Sequence, residues 1–232
     1  MKPQLLSIVM PVYNERATVR AAVERLLKTD LPIAIELVIV DDGSTDRSLD
    51  SVADLAEPGR VRLIRHRRNR GKGAAIRTGI EVARGDVLTI FDADLEYDPA
   101  DLSALLAPIL EGEARVVFGT RAFGAHTAYS FWYVMGNKLV NLWASFLFDT
   151  WLSDVYTCLK MAPTELWRRI DLRSGGFGVE AETTGKLLAR GEGVYEVPIS
   201  YRARSREEGK KIRPTDGMRA LGILLRIRMT GR

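Results

Sequence analysis

The chain has 232 residues, of which 46% are hydrophobic and 28% charged, with a formal net charge of +4. This is enough for one large α/β domain with a sizeable core, and it excludes a disordered or fibrous chain. The single cysteine, Cys158, excludes an intramolecular disulfide, and no window offers about 18 uncharged apolar residues, so no membrane-spanning helix is expected.

The run Leu5–Met10 is too short for the apolar region of a signal peptide and reads as a first strand ended by Pro11. An alternation follows: helix Arg16–Lys28, strand Ala34–Val40, helix Asp46–Ala56, strand Val61–His66, helix Gly73–Arg84, strand Asp86–Phe91, helix Ala100–Glu111 and strand Arg115–Thr120. Ile- and Val-rich strands spaced by helices predict a mostly parallel sheet covered on both faces, with ligands bound beyond the carboxyl ends of its strands. The second half is less regular. Phe131–Leu152 holds three of the four tryptophans and reads as a core helix or as an amphipathic helix at a membrane interface. A strand over Thr157–Ala162, a helix over Glu180–Ala189, a strand over Gly193–Tyr201 and a basic loop over Arg202–Arg213 follow. The last element is a helix over Asp216–Met229 with an apolar face and an arginine border. One domain over 1–232 is expected: a nucleotide-sugar half (1–121), an acceptor half (122–213) and a basic amphipathic C-terminal helix (214–232).

Charge is unevenly placed. Residues 202–232 carry ten Lys/Arg against three acids, a net of +7, so the other 201 residues sum to −3. Arg60–Lys72 adds seven Lys/Arg and no acid. Such runs suit phosphate, nucleic acid or an anionic membrane, and also a plain solvated surface.

Polar motifs stand at the ends of three predicted strands. Asn14-Glu15 opens a helix, where Asn14 suits a cap and Glu15 the positive helix end, while the Tyr13 ring is suited to stacking on a base. Asp41-Asp42-Gly43-Ser44 follows the second strand. Gly43 suits a turn, and the paired carboxylates suit base N–H groups and ribose hydroxyls. Asp92, Asp94 and Glu96 alternate along an extended segment and would share one side, where three like charges repel unless a cation lies between them. Asn69-Arg70-Gly71-Lys72-Gly73 is not a P-loop, and no dinucleotide fingerprint follows the first strand.

Pro11-Val12-Tyr13-Asn14-Glu15, Asp41-Asp42-Gly43-Ser44-Thr45-Asp46, Gly71-Lys72-Gly73 and Asp92-Ala93-Asp94-Leu95-Glu96-Tyr97-Asp98-Pro99 resemble, in this order, the motifs of family 2 glycosyltransferases. Gly136-Asn137-Lys138, Asp154-x-x-Thr157-Cys158-x-Lys160, Glu196–Tyr201 and Glu208-Gly209-Lys210-Lys211-Ile212 are similar to the bacterial branch near dolichol-phosphate mannose and glucose synthases. The resemblance implies a Rossmann-like GT-A fold. It implies a nucleotide held by Pro11, Val12, Tyr13, Glu15, Val40, Asp41, Asp42 and Lys72. It also implies ribose and diphosphate contacts from Asp92 and Ala93, and Mg²⁺ or Mn²⁺ on Asp94 and Glu96. Arg121, with Lys138, Arg204, Lys210 and Lys211, would take the acceptor phosphate and the diphosphate.

The implied reaction is metal-dependent inverting transfer of a mannose or glucose from a GDP- or UDP-sugar to a polyprenyl phosphate. Its place would be peripheral, on the anionic cytoplasmic face of the plasma membrane, with a membrane-protein partner left open and no nucleic acid involved. Two other readings stay open: transfer to a hydroxyl, with Asp154 as the base, and a non-catalytic nucleotide-binding subunit.

Overall fold

The computed structural model describes residues 2–123, 131–176, 178–203 and 214–231, the side chains of Tyr133 and Pro214 aside. The strands are β1 (Leu5–Val12), β2 (Ala34–Asp41), β3 (Val61–Arg65), β4 (Val87–Ile90), β5 (Val116–Thr120), β6 (Lys160–Pro163) and β7 (Val194–Pro198). The helices are α1 (Val19–Lys28), α2 (Lys72–Val82), α3 (Asp101–Glu111), α4 (Phe131–Phe148), α5 (Thr164–Arg169), α6 (Gly178–Ala189) and α7 (Pro214–Thr230).

The strands form one sheet in the order β3-β2-β1-β4-β6-β5-β7. All pairings are parallel except those of β6, which runs antiparallel to both β4 and β5. β4 and β5 bury every side chain, and β1 and β2 nearly so. That is the expected consequence of crossover helices covering both faces of a parallel sheet. On one face α1 contributes Val19, Ala22, Val23 and Leu26, a helical stripe, and α3 contributes Leu102, Leu105 and Leu106. On the other face α2 contributes Ala75, Ile76 and Ile80, and α6 contributes Val179 and Leu187. A third cluster joins α4, α6 and α7 through Val140, Ala144, Ala181, Ala220 and Leu224.

The mostly parallel sheet thus matches expectation, and three local features differ. Asn14 does not cap α1. It adopts a left-handed conformation (φ 53), its Oδ1 accepts the Thr45 N–H at 2.9 Å, and the helix starts only at Val19. The segment after β2 forms a short 3-10 helix (Leu49–Leu55) rather than an α-helix from Asp46. The Asp46 carboxylate binds the N–H groups of Ser48 and Arg16, and such local bonds compete with a helical ladder. α5 was not expected, because six residues are too few to show a period. Among the described residues no helix is long and apolar enough to cross a membrane.

Gly79 shows how closely α2 lies on the sheet: a Cβ there would meet Val9 Cγ1 at 2.3 Å. Gly79→Val should therefore lose about 1–3 kcal/mol through overpacking, read as a lower urea midpoint with an unchanged m-value.

Candidate active site

Strand order reverses about β1, and a cleft of about 310 Å³ opens beyond the carboxyl ends of β1, β2 and β4. Pro11, Val12, Tyr13, Glu15, Asp42, Lys72, Asp92, Ala93, Asp94, Glu96 and Arg121 all line it. Val40, Asp41, Lys138 and Asp154 do not. Val40 is fully buried in the core, and Lys138 is exposed on α4. Arg204, Lys210 and Lys211 lie outside the described residues.

The adjacent aspartates after β2 are committed to the protein itself. Asp41 is buried, accepts the Ser44 N–H at 3.1 Å and lies 3.5 Å from the Arg65 guanidinium. Asp42 accepts the N–H groups of Arg70 and Gly71, the latter at 2.7 Å, and one of its oxygens lies 2.7 Å from His66 Nδ1. It therefore holds the turn that delivers Lys72. Gly71 in that turn has φ 89, and a Cβ there would meet the Gly175 carbonyl at 2.0 Å.

Asp92, Asp94 and Glu96 converge, but not by strand alternation. β4 ends at Ile90, and Leu95 is left-handed (φ 63), so the segment turns into the cleft. Repulsion at Asp92 is offset by a cation of the protein. Lys72 Nζ lies 2.9 Å from Asp92 and 2.9 Å from Glu180, and donates to Cys158 Sγ at 3.1 Å. Burial works against its charge, yet the neighbouring Asp92 and Glu180 carboxylates hold the Lys72 pKa well above the ordinary lysine value. Burial pushes the Cys158 thiol up, and it donates to Asp92 at 2.8 Å. Asp94 accepts the Glu96 N–H at 3.1 Å.

Among the described residues no set of three or more His, Cys, Asp or Glu side chains is placed to hold a metal ion alone. Asp94 and Glu96 are two hard oxygen donors lining the cleft. They fit Mg²⁺ or Mn²⁺ when diphosphate oxygens complete the coordination sphere, the usual arrangement for a nucleotide-bound cation.

Arg121 closes the other side of the cleft. Asp154 accepts its backbone N–H (3.1 Å), its Nε–H (2.7 Å) and its Nη2–H (2.8 Å). Burial alone would raise the Asp154 pKa, but the Arg121 guanidinium outweighs it and holds this carboxyl below the usual range. The segment bearing Asp154 is clamped on both sides. Asn141 of α4 donates to the Ser153 carbonyl and accepts the Val155 N–H, and Glu196 of β7 accepts the Ser153 N–H and hydroxyl. Tyr156, Cys158, Glu180, Tyr201 and Asp216 also line the cleft and had no role assigned from sequence. Their signal was positional: Cys158 and Tyr201 fall inside motifs quoted for the resemblance, and Glu180 in a conspicuous pair of acids. The Tyr156 hydroxyl is buried without a partner among the described residues, and burial with nearby Asp216 pushes its pKa up to about 12.

The model of glycosyl transferase family 2 matches residues 7–161. The chain belongs to this family. Among its family 2 relatives is the undecaprenyl-phosphate 4-deoxy-4-formamido-L-arabinose transferase of Pseudomonas aeruginosa, 38% identical over 149 residues that cover 61% of this chain and 43% of that protein. Another is the polyprenol monophosphomannose synthase of Mycolicibacterium smegmatis, 30% identical over 221 residues, covering 89% of this chain and 82% of that one. The chain spans about half or less of the length of several other curated relatives that it matches. In fold it is similar to glucosyl-3-phosphoglycerate synthase from Mycobacterium tuberculosis, solved with Mn²⁺, UDP and glucosyl-3-phosphoglycerate. The TM-score is 0.72, with 20% identity over 96% of this chain and 79% of that one. This likeness supports the GT-A architecture expected from the motifs.

Asp154→Asn should cost about 3–5 kcal/mol by leaving Arg121 buried without its counter-charge, read by urea denaturation. The Asp154 pKa is lower in the folded than in the unfolded chain. Its contribution is therefore complete above about pH 4 and is lost as pH falls further. The variant should lack that part of the acid dependence.

Proposed function

We propose that this chain transfers a hexosyl group, mannose or glucose, from a GDP- or UDP-sugar to a polyprenyl phosphate, with inversion at the anomeric carbon. The observation that carries this reading is the commitment of Asp154. The carboxylate best suited by sequence to act as a base is bound on both oxygens by Arg121 and held below the usual range. A hydroxyl acceptor would need a base, whereas an acceptor phosphate is already ionised at neutral pH and needs a cation to receive it. Arg121 is such a cation, and Asp154 then serves as its orienting partner.

In this reading Tyr13, 38% exposed at the cleft, stacks on the base, and Asp42 holds the 69–71 turn beneath the nucleotide. Lys72 keeps Asp92 in place toward the ribose and diphosphate, and Asp94 with Glu96 would hold Mg²⁺ or Mn²⁺. The ion, when bound, offsets the charge that develops on the departing diphosphate. A phosphate oxygen positioned by Arg121 attacks the anomeric carbon as the bond to the diphosphate breaks, and the nucleoside diphosphate leaves with the electron pair. The Tyr156 hydroxyl, without a partner among the described residues, would be relieved by a substrate oxygen.

A lipid-linked acceptor is favoured by the outside of the molecule. α4 exposes Trp132, Met135, Leu139, Leu142 and Phe146 at helical spacing, with Trp132 at 80% and Phe146 at 75%. α7 exposes Met218, Leu225 and Met229 beside Arg219, Arg226 and Arg228. An apolar face bordered by arginines suits an anionic bilayer surface. The same reading places the chain at the cytoplasmic face of the plasma membrane, where a membrane-protein partner could share this surface. The names of both curated relatives above contain a polyprenyl phosphate or polyprenol acceptor, with different sugars.

The test is a panel of UDP- and GDP-sugars with undecaprenyl phosphate, with and without Mg²⁺ or Mn²⁺, followed for lipid-linked product. One sugar should be transferred, chelation should stop turnover, and Asp94→Ala should lower it by about 10²-fold or more. Product formed only on a sugar or small alcohol, and lost in Asp154→Asn, would select the hydroxyl-acceptor reading. Nucleotide binding without transfer to any acceptor would select the non-catalytic one. Trp132→Glu with Phe146→Glu should weaken sedimentation with anionic liposomes while leaving nucleotide affinity unchanged.

A further inference from the structure

Tyr201 lies just beyond β7, and its side chain touches two other cleft residues. Its hydroxyl donates to the Glu96 carboxylate. On the face of its ring sits the Arg121 guanidinium, 4.8 Å from the centroid. The ring also packs on Tyr97 with centroids 5.2 Å apart, and the two tyrosines pair through an antiparallel backbone bridge. The next residue, Arg202, donates its N–H to the Glu96 carbonyl at 2.9 Å. Tyr97 is itself fixed, because its hydroxyl accepts the Cys158 N–H at 3.1 Å. Tyr201 is thus held by its backbone and its ring while it touches one donor-side carboxylate and one acceptor-side cation.

Packing alone would not need the hydroxyl. A phenylalanine could stack on Tyr97 and carry Arg121 equally well, since cation–π attraction belongs to the ring. The hydroxyl is bonded to Glu96. A donor to a carboxylate fixes its rotamer, and so sets the direction from which that carboxylate can meet a cation.

We propose that Tyr201 is a positioning residue for both substrates: its hydroxyl sets Glu96 for the nucleotide-bound cation, and its ring sets Arg121 for the acceptor phosphate. The inference rests on the metal role given to Glu96 and the phosphate role given to Arg121. It adds a single side chain through which the two subsites are joined.

Two variants separate the two contacts. Mn²⁺ affinity is measured on the full chain by electron paramagnetic resonance, with UDP and with GDP. The KM for undecaprenyl phosphate is measured at saturating Mn²⁺. Tyr201→Phe should weaken Mn²⁺ binding about 10- to 100-fold, as loss of an outer-shell donor does, with the acceptor KM unchanged. Tyr201→Leu should weaken Mn²⁺ equally and also raise the acceptor KM roughly 2- to 30-fold, the range of a lost cation–π contact. Asp94→Ala separates the possible failures. If it binds Mn²⁺ as well as the wild type, the metal reading falls and this inference with it. If Asp94→Ala loses Mn²⁺ but Tyr201→Phe binds it like the wild type, the role of Tyr201 alone is overturned. Thermal melts accompany both variants, and should Tyr201→Leu fail to fold, Tyr201→Phe still decides the hydroxyl's role.

Discussion

A guanidinium buried inside a protein needs a counter-charge, and the pairing of Arg121 with Asp154 is the constraint on which the proposed acceptor side of this molecule depends. The pair is bidentate, which fixes the plane as well as the position of the arginine. Asp154 could not perform this role from a loose loop. Asn141 of α4 and Glu196 of β7 grip Ser153 and Val155 on either side of it, so a helix and a strand that are distant in sequence hold one carboxylate. The same arrangement ties α4, the helix with the exposed apolar face, to the arginine proposed to receive the lipid's phosphate.

The donor side solves the opposite problem, an excess of negative charge. Asp92, Asp94, Glu96 and Glu180 all face one cleft. Lys72 answers half of it by binding Asp92 and Glu180 together. Asp94 and Glu96 line the same cleft and are the pair proposed to meet a nucleotide-bound cation. Lys72 can do this because Asp42 binds the backbone just before it, and because Gly71 and Gly73 allow that turn to lie against Ser174 and Gly175 at distances no side chain would tolerate. Asp42 and Lys72 thus line the cleft while bonded to the protein itself.

Membership of glycosyl transferase family 2 agrees with the arrangement of these two sides about one sheet. The solved structure compared above is named for a glycerate acceptor, whereas the two curated relatives compared above are named for polyprenyl acceptors. The proposal of a polyprenyl phosphate acceptor draws on Arg121, on its commitment of Asp154 and on the exposed apolar surfaces of α4 and α7.

Much of this was legible from the chain alone. Alternating apolar runs and amphipathic helices report burial directly, so the parallel sheet, the positions of most elements and the motifs at the ends of β1, β2 and β4 follow from the order of residues. Local signals also misled: Asn14 looked like a helix cap and is instead locked to Thr45, and six-residue α5 left no period to detect. The partners chosen by charged side chains were beyond reach, because they depend on contacts between residues 20 to 110 positions apart. Nothing in Asp154 announces that Arg121 will occupy both its oxygens, nor in Asp41 and Asp42 that one faces Arg65 and the other a backbone turn. Composition and periodicity determined the fold and where the chemistry would gather. Only the tertiary structure decided which carboxylates are already paired and which still face the cleft, since a charge's role depends on the neighbours that burial imposes on it.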